Sequence, residues 1–243
     1  MVENNLLTCI PLGLQTLHGS QLSLVRASPE YIDFIYDCYQ NDSFMDLYRL
    51  TQSRTVLKKE IQDRLKNEQT KLPQELKRIE WVILKHEKQQ QTPIGLAALA
   101  DHQVTHRRAE FLLGFPCTLH RVGSLGLEAS LLVLEFAFNL AGLNKVTSFV
   151  YGYNLDAQRN TIHLGFKQEG FFAQHIQTES GFIDLYQNGL LRADFLNNKK
   201  LGSLARRLLK RDITQPQIPL VKPASKDLLE QLDLKLKVLP YKI

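Results

Sequence analysis

Three features of this chain combine residue types and spacings that can do chemistry. The first is the run Arg121-Val122-Gly123-Ser124-Leu125-Gly126-Leu127. It sits between a strand-like segment, RAEFLLGF (108–115), and an apolar stretch of helical length that begins GLEASLLVLEF. A small-residue turn between a strand and a helix can leave backbone N–H groups at the helix N-terminus. Those groups and the helix dipole bind anions such as a pyrophosphate. An ordinary strand–helix turn is the competing reading of a few glycines. The second feature is Glu110. Alternation puts Glu110, Leu112 and Gly114 on one face of the strand and Ala109, Phe111 and Leu113 on the other. A carboxylate in an apolar cleft has a raised proton affinity and can accept a proton from a nucleophile. The alternative is a plain ion pair with Arg107 or Arg108, or a bond to a loop N–H. His102 and His106, just ahead, are alternative bases or substrate contacts. The third feature is Asn154, eleven residues before Gly165-Phe166.

These residues need a scaffold, and the hydrophobic pattern supplies one. Gln21 to Arg26 alternates as a first strand. Ser28-Pro29-Glu30 then opens a helix, with Ser as cap and Pro in the first turn. That helix carries Tyr31, Ile32, Phe34, Ile35, Cys38 and Tyr39. A second holds Met45, Leu47, Tyr48 and Leu50, and a third, charged one runs from about Thr55 to Asn67. Strands follow over Ile79–Leu84 and Ile94–Ala100, with His86–Thr92 as their loop, and then over 108–115. After the long helix come a strand over Lys145–Tyr151, a short helix closed by HLGF, and a hairpin of Phe166–Ile176 and Phe182–Asn188 joined by TESG.

Composition bounds the class. At 243 residues with 44% hydrophobic side chains, the chain suits one domain with additions. A formal charge of +5 suits a polyphosphate ligand or an acidic partner but is no nucleic-acid signature, so nucleic acid is not the expected partner. The three cysteines, Cys9, Cys38 and Cys117, are few and widely spaced. They suggest neither a disulfide framework nor a zinc site, which fits the reducing cytoplasm. Cys38 is expected to be buried and Cys117 to be structural. No signal peptide and no apolar run of about 18 residues is found, so no membrane span is expected.

The order β, three helices, three strands, α, β, α, ββ, together with the 108–166 run, resembles the GNAT superfamily of acyl-CoA-dependent N-acyltransferases. The likeness covers about residues 21–195, and the GLEA run and AEF strand are most similar to the RimJ/RimL-like branch. The resemblance implies an α/β (α+β) fold with a central mixed, mostly antiparallel twisted sheet of 6–7 strands flanked by helices. A C-terminal helical extension follows. Residues 1–20 would be an arm, 21–195 the acyltransferase domain, and 196–243 a basic helix, a Pro-containing linker and a terminal helix. Family members usually carry Gln or Arg, two residues, Gly, one residue, then Gly or Ala. Here Arg121, Gly126 and Glu128-Ala129 fit that pattern, and Ser124 stands where the first Gly usually stands.

By resemblance, backbone N–H groups from Val122 to Leu127 hold the CoA pyrophosphate. Leu112, Leu113 and Gly114 lie on a strand splayed from its neighbour by a bulge and offer backbone groups to the thioester carbonyl and the pantetheine amides. Glu110 accepts a proton from the attacking ammonium, directly or through water. Asn154 contacts the pantetheine or helps arrange the acceptor end, and with Glu110 and Thr161 it makes up the implied catalytic set. Many members have a Tyr general acid seven residues after this Asn, and here that position is Thr161; the Ser often found three residues after it is Ala157. Thr161 is a weak acid, though it can relay a proton through water. The co-substrate implied is acetyl-CoA, or a longer acyl-CoA, with no metal. The acceptor is a primary amine of a protein, peptide or small molecule, and a homodimer is compatible.

Two alternatives stay open. The aromatic-rich first helices (Phe34, Tyr36, Phe44, Tyr48) and the extra C-terminal segment can line a groove for a fatty acyl chain destined for a Lys or ornithine side chain of a ribosomal peptide, although such aromatics are more often core. The missing Ser and Tyr also fit a catalytically silent acyl-CoA-binding module. The basic helix 199–211 either meets an acidic surface or, as is usual for amphipathic helices, packs Leu204, Leu208 and Leu209 on its own domain.

Overall fold

The computed structural model describes residues 16–88, 90–121 and 123–215. One sheet runs through it, built of β1 (Leu17–His18), β2 (Leu22–Arg26), β3 (Ile79–His86), β4 (Gln91–Gln103), β5 (Arg108–Gly114), β6 (Lys145–Tyr151), β7 (Lys167–Thr178) and β8 (Gly181–Leu191). The spatial order is β1-β2-β3-β4-β5-β6-β8-β7. Every neighbouring pair is antiparallel except β5–β6. The sheet thus has eight strands rather than the six or seven expected. The extra one is the two-residue β1, which pairs with β2 from within the segment taken as an arm. The remainder of that arm, residues 1–15, lies outside the described residues.

Helices cover the two faces unequally. On one face lie α4 (Leu125–Glu135), its π-helical continuation Phe136–Leu140, α6 (Arg192–Leu196) and α7 (Lys199–Leu209). Phe136 meets Trp81 edge-on at 5.0 Å, and Phe138 meets Phe195 at 4.7 Å. On the other face, α1 (Ile32–Gln40), α2 (Asp42–Tyr48) and α3 (Lys58–Gln69) pack Ile35, Phe44, Met45, Ile61 and Leu65 against Val82, Leu84, Leu96, Ala98 and Leu112. Strands covered on both faces read as continuous apolar runs rather than alternations, which is why IEWVIL and IGLAALA carry so few polar residues.

The strands of the β3–β4 hairpin extend past the apolar runs, so the loop shrinks from the expected 86–92 to a turn closed by Glu87 N–H on the Gln90 carbonyl at 3.0 Å. Ser28 makes no side-chain cap bond; Pro29–Tyr31 is a single 3₁₀ turn ahead of α1. Helix α7 packs as amphipathic helices usually do. Leu201, Leu204, Ala205 and Leu209 are buried with α4 in one core, with Leu208 packed against it, and the basic side chains face outward. The expected terminal helix over 227–239 lies outside the described residues. Cys38 is buried as expected, and Cys117 is exposed.

Candidate active site

The site begins where two strands part. β5 and β6 pair only through Arg108–Lys145, Ala109–Val146 and Glu110–Thr147. Beyond Glu110 they diverge, while β6 keeps its register with β8 as far as Tyr151–Leu185. Parallel strands joined by a helical crossover can splay this way, because nothing but the ladder holds them side by side. The irregularity in the β4–β5 pairing falls between Ala100 and Gln103, opposite Arg108 to Glu110, and so ends at the residue where β5 leaves β6.

A cavity of about 370 Å³ fills the opening. Its walls are Phe111 to Phe115 of β5, Ser148 to Val150 of β6, Phe44, Leu47 and Tyr48 of α2, Arg121, Gly126, Leu127 and Ser130 at the start of α4, and Asn154, Ala157, Asn160 and Thr161 of α5 (Leu155–His163). This size is typical of small-molecule sites. Gly114 is a place where a side chain would not fit, since a Cβ there would lie 2.6 Å from Phe44 Cε2 and 2.9 Å from Tyr48 Cδ2.

The start of α4 faces this cavity. Ser124 forms no side-chain cap, so the helix's first N–H groups, which have no intrahelical acceptor, are not taken up by it. Gly123 has φ +82°, the left-handed value that glycine adopts freely. Gly126 is helical, and a Cβ there would sit at an ordinary 3.6 Å from Phe115. The Arg121 side chain is turned back, Nε donating to the Phe115 carbonyl at 3.0 Å. Glu128 is buried and anchors the helix: one carboxylate oxygen accepts the Gln21 backbone N–H at 2.8 Å, the other the Gln21 amide at 2.9 Å. Of the residues expected to hold CoA, Leu112, Leu113, Gly114, Arg121, Gly126, Leu127 and Asn154 line the cavity. Gly123, Ser124 and Leu125 shape the turn without lining it, and Val122 lies outside the described residues.

Glu110 sits at the vertex of the splay, on the α1–α3 face, as alternation requires. Neither Arg107 nor Arg108 is its partner. Arg107 holds the Gly142 carbonyl and Arg108 pairs with Asp101. The nearest cation is Arg49, just past α2, at 3.8 Å. Burial pushes the Glu110 carboxyl above its ordinary range; Asp101 adds to the rise, and Arg49 and Arg78 oppose it. The tyrosines at the end of β6 fasten the segment that carries Arg49. Tyr151 accepts the Leu50 N–H at 2.9 Å, and the Tyr153 hydroxyl donates to the Asp46 carbonyl. Asn154 caps α5, its side-chain oxygen accepting the Ala157 N–H at 3.2 Å. That leaves its amide end for the cavity. Thr161 is 7% exposed and also lines the cavity. His102 is turned away, with Nδ1 on the Leu76 carbonyl at 3.0 Å. Among the described residues no group of three or more His, Cys, Asp or Glu could hold a metal ion.

A sequence profile of the acetyltransferase (GNAT) domain matches residues 21–167, more than half the chain. The chain belongs to the GNAT acetyltransferase family. A relative, the uncharacterised N-acetyltransferase YoaA of Bacillus subtilis (strain 168), is 27% identical over 177 residues, 71% of this chain and 89% of that protein. Among solved structures, the spermidine N-acetyltransferase of Vibrio cholerae in complex with CoA and spermine matches with a TM-score of 0.64. It shares 20% identity and covers 73% of this chain and 99% of its own. A dodecameric form of the same enzyme in an intermediate state matches at 0.63 and 19%, over 74% of this chain and 98% of its own. At these identities the likeness shows the GNAT fold alone. No helix among the described residues is long and apolar enough to cross a membrane.

Of the aromatics of the first helices, read either as core or as groove lining, Phe44 and Tyr48 are both: they are buried and they also wall the cavity, together with Leu47. Arg49 carried no signal at all, because only the fold brings it across the sheet to Glu110.

Proposed function

We propose that this GNAT protein transfers an acetyl group from acetyl-CoA to a primary amine by direct attack in a ternary complex. The observation that carries the reading is the splay of β5 from β6 beyond Glu110, opening onto an uncapped helix N-terminus. The cavity between the strands accepts the pantetheine arm. The edge of Leu112 to Gly114 that faces away from β4 and is no longer paired with β6 meets the pantetheine amides and the thioester carbonyl, where a preformed donor stabilises the developing oxyanion. The N-terminal turn of α4 takes the pyrophosphate.

Glu110, with its raised proton affinity, removes the proton from the incoming ammonium. The new N–C bond forms as the C–S bond breaks, and the proton of the leaving thiol comes from solvent or through Thr161. Proximity supplies much of the rate. The acceptor end lies on the α1–α3 face beside Glu110, and Asn154 orients the pantetheine. An acetyl group is preferred over a fatty chain because Phe44 and Tyr48 close the cavity against β5 rather than line an open groove.

Thermal denaturation with and without acetyl-CoA, paired with thiol release in the presence of mixed amines, tests the proposal. A ligand bound only by the native state raises the midpoint by mass action. A rise with acetyl-CoA together with amine-dependent thiol release is expected. A rise without turnover favours a silent binding module. No rise with acetyl-CoA refutes the reading.

A further inference from the structure

The acceptor end of the site carries an unused cation. Arg49 lies one residue past α2, with its side chain about a third exposed, and its guanidinium makes no hydrogen bond to any described residue. Its single charged neighbour is Glu110, at a distance too long for a hydrogen bond. Arg49 and Glu110 do not line the cavity themselves but follow and precede residues that do, Tyr48 and Phe111; an arginine held beside a cavity with its planar fork of donors free is built to take a carboxylate or phosphate in bidentate fashion. The segment bearing it is fixed from both sides, by Tyr151 on the Leu50 N–H and by Tyr153 on the Asp46 carbonyl. The free fork is therefore aimed rather than floating.

The surrounding charges argue in the same direction. A polyamine acceptor needs free carboxylates spaced along its path. Here the carboxylates of α2, Asp42 and Asp46, are both taken by Arg54. Asp101 is paired with Arg108. Buried Arg78 adds a second positive charge behind Glu110, although Glu80 neutralises most of it. Asp156, on the cavity wall, is paired with Arg159, and what remains beside the cavity is one carboxylate next to one guanidinium, 3.8 Å apart. That separation is of the order of the distance between the amine and the carboxylate of a single α-amino acid.

We infer that the acceptor is an amine with a carboxylate on the neighbouring carbon, a free α-amino acid, whose amine faces Glu110 and whose carboxylate is held by the Arg49 fork. The inference rests on the reading of Glu110 as the residue facing the amine. Transfer balances as for any amine: the ammonium gives one proton to Glu110, one N–C bond forms, one C–S bond breaks, and the second N–H proton ends on the leaving CoA thiolate.

The test is steady-state acetylation of a panel of free L-amino acids, the corresponding amino-acid amides, and spermidine, by the full chain with acetyl-CoA. The free acids are expected to exceed their amides by about 10- to 100-fold in kcat/KM, the worth of a charge-assisted hydrogen-bonding pair. In Arg49→Gln the ratio of acid to amide falls toward one, mainly through KM, and Arg49→Lys keeps part of it. Equal use of acids and amides by the unaltered protein, or preference for spermidine, overturns the inference and leaves acetyl transfer standing. The absence of any acetyl-CoA thermal shift overturns both. The comparison of acids with amides needs no variant, so it stands even if a substitution impairs folding.

Discussion

Replacing Glu80 by Gln strikes the most concentrated polar cluster in the protein. Glu80 lies in β3 with its side chain 1% exposed, beneath α1, α2 and α3. One oxygen accepts the Tyr39 hydroxyl at 2.7 Å and is paired with Arg78; the other lies 3.2 Å from Arg64. Arg78 also donates to the Tyr48 hydroxyl at 3.2 Å and to Gln52 at 3.1 Å. Burial works to raise the Glu80 carboxyl, yet Arg78, Arg64 and Tyr39 together hold it below its ordinary value. Glu80→Gln keeps the shape but removes the one charge that compensates Arg78. Breaking a buried pair by removing one partner costs about 3–5 kcal/mol. For a domain whose whole stability is about 5–15 kcal/mol this is a large share. In a protein of this size it lowers the melting midpoint by about 6–20 °C. The lowered carboxyl also fixes a sign. Its stabilisation is fully present above the unfolded-state value and is lost as pH falls through the depressed folded value, so unaltered protein loses this contribution only in acid. The assay is urea and thermal denaturation at neutral pH and in acid. The gap between variant and unaltered protein should be wide at pH 7 and should narrow as the pH drops into the acid range. A loss under about 1 kcal/mol at pH 7, or a gap that does not change with pH, would refute the reasoning.

Three further outcomes follow from the site. Glu110→Gln should lower turnover by about 10²–10⁴-fold, the usual range for a general base, and abolish the rising acid limb of the pH–rate profile. Because burial raises this carboxyl, ionisation of Glu110 costs native stability as pH climbs past the unfolded value, so the variant should melt no lower than the unaltered protein at pH 7. An unchanged profile would remove Glu110 from the reaction. Gly123→Ala should cost about 1–2 kcal/mol through its positive φ despite open space around it, whereas Gly126→Ala should be nearly neutral in denaturant titration. Equal costs would mean that crowding, not backbone angle, governs the turn. Thr161→Val should leave the maximal rate of thiol release within a few-fold, since a thiolate leaves readily; a hundredfold drop would make Thr161 an obligatory proton relay.

Legibility followed the range of the interactions involved. The turn at 121–127, the apolar runs of β3 and β4, the sidedness of Glu110 and Leu112, and the Gly165 stop of α5, with φ +95°, were readable because each depends on neighbours a few residues away. The motif and order of elements likewise led from the chain to its family. Backbone conformation and amphipathic period are local properties, and the residues themselves dictate them.

The rest depended on what the sheet brings together. That β5 leaves β6 after Glu110 shows only in the pairing of the two strands, with residues of α5 lining the opening. Asn154 read as a ligand contact, but its oxygen caps a helix because the chain turns into α5 at that residue. The partner of Glu110 read as Arg107 or Arg108, adjacent in sequence. Arg108 is drawn instead to Asp101 and Arg107 to the Gly142 carbonyl, and Arg49, 61 positions away, occupies the place. The sequence by itself determined most of the elements, the turn that opens α4 and the family. The tertiary structure alone decided which charges meet beside Glu110, because pairing across a sheet is set by register and crossover, to which sequence distance contributes nothing.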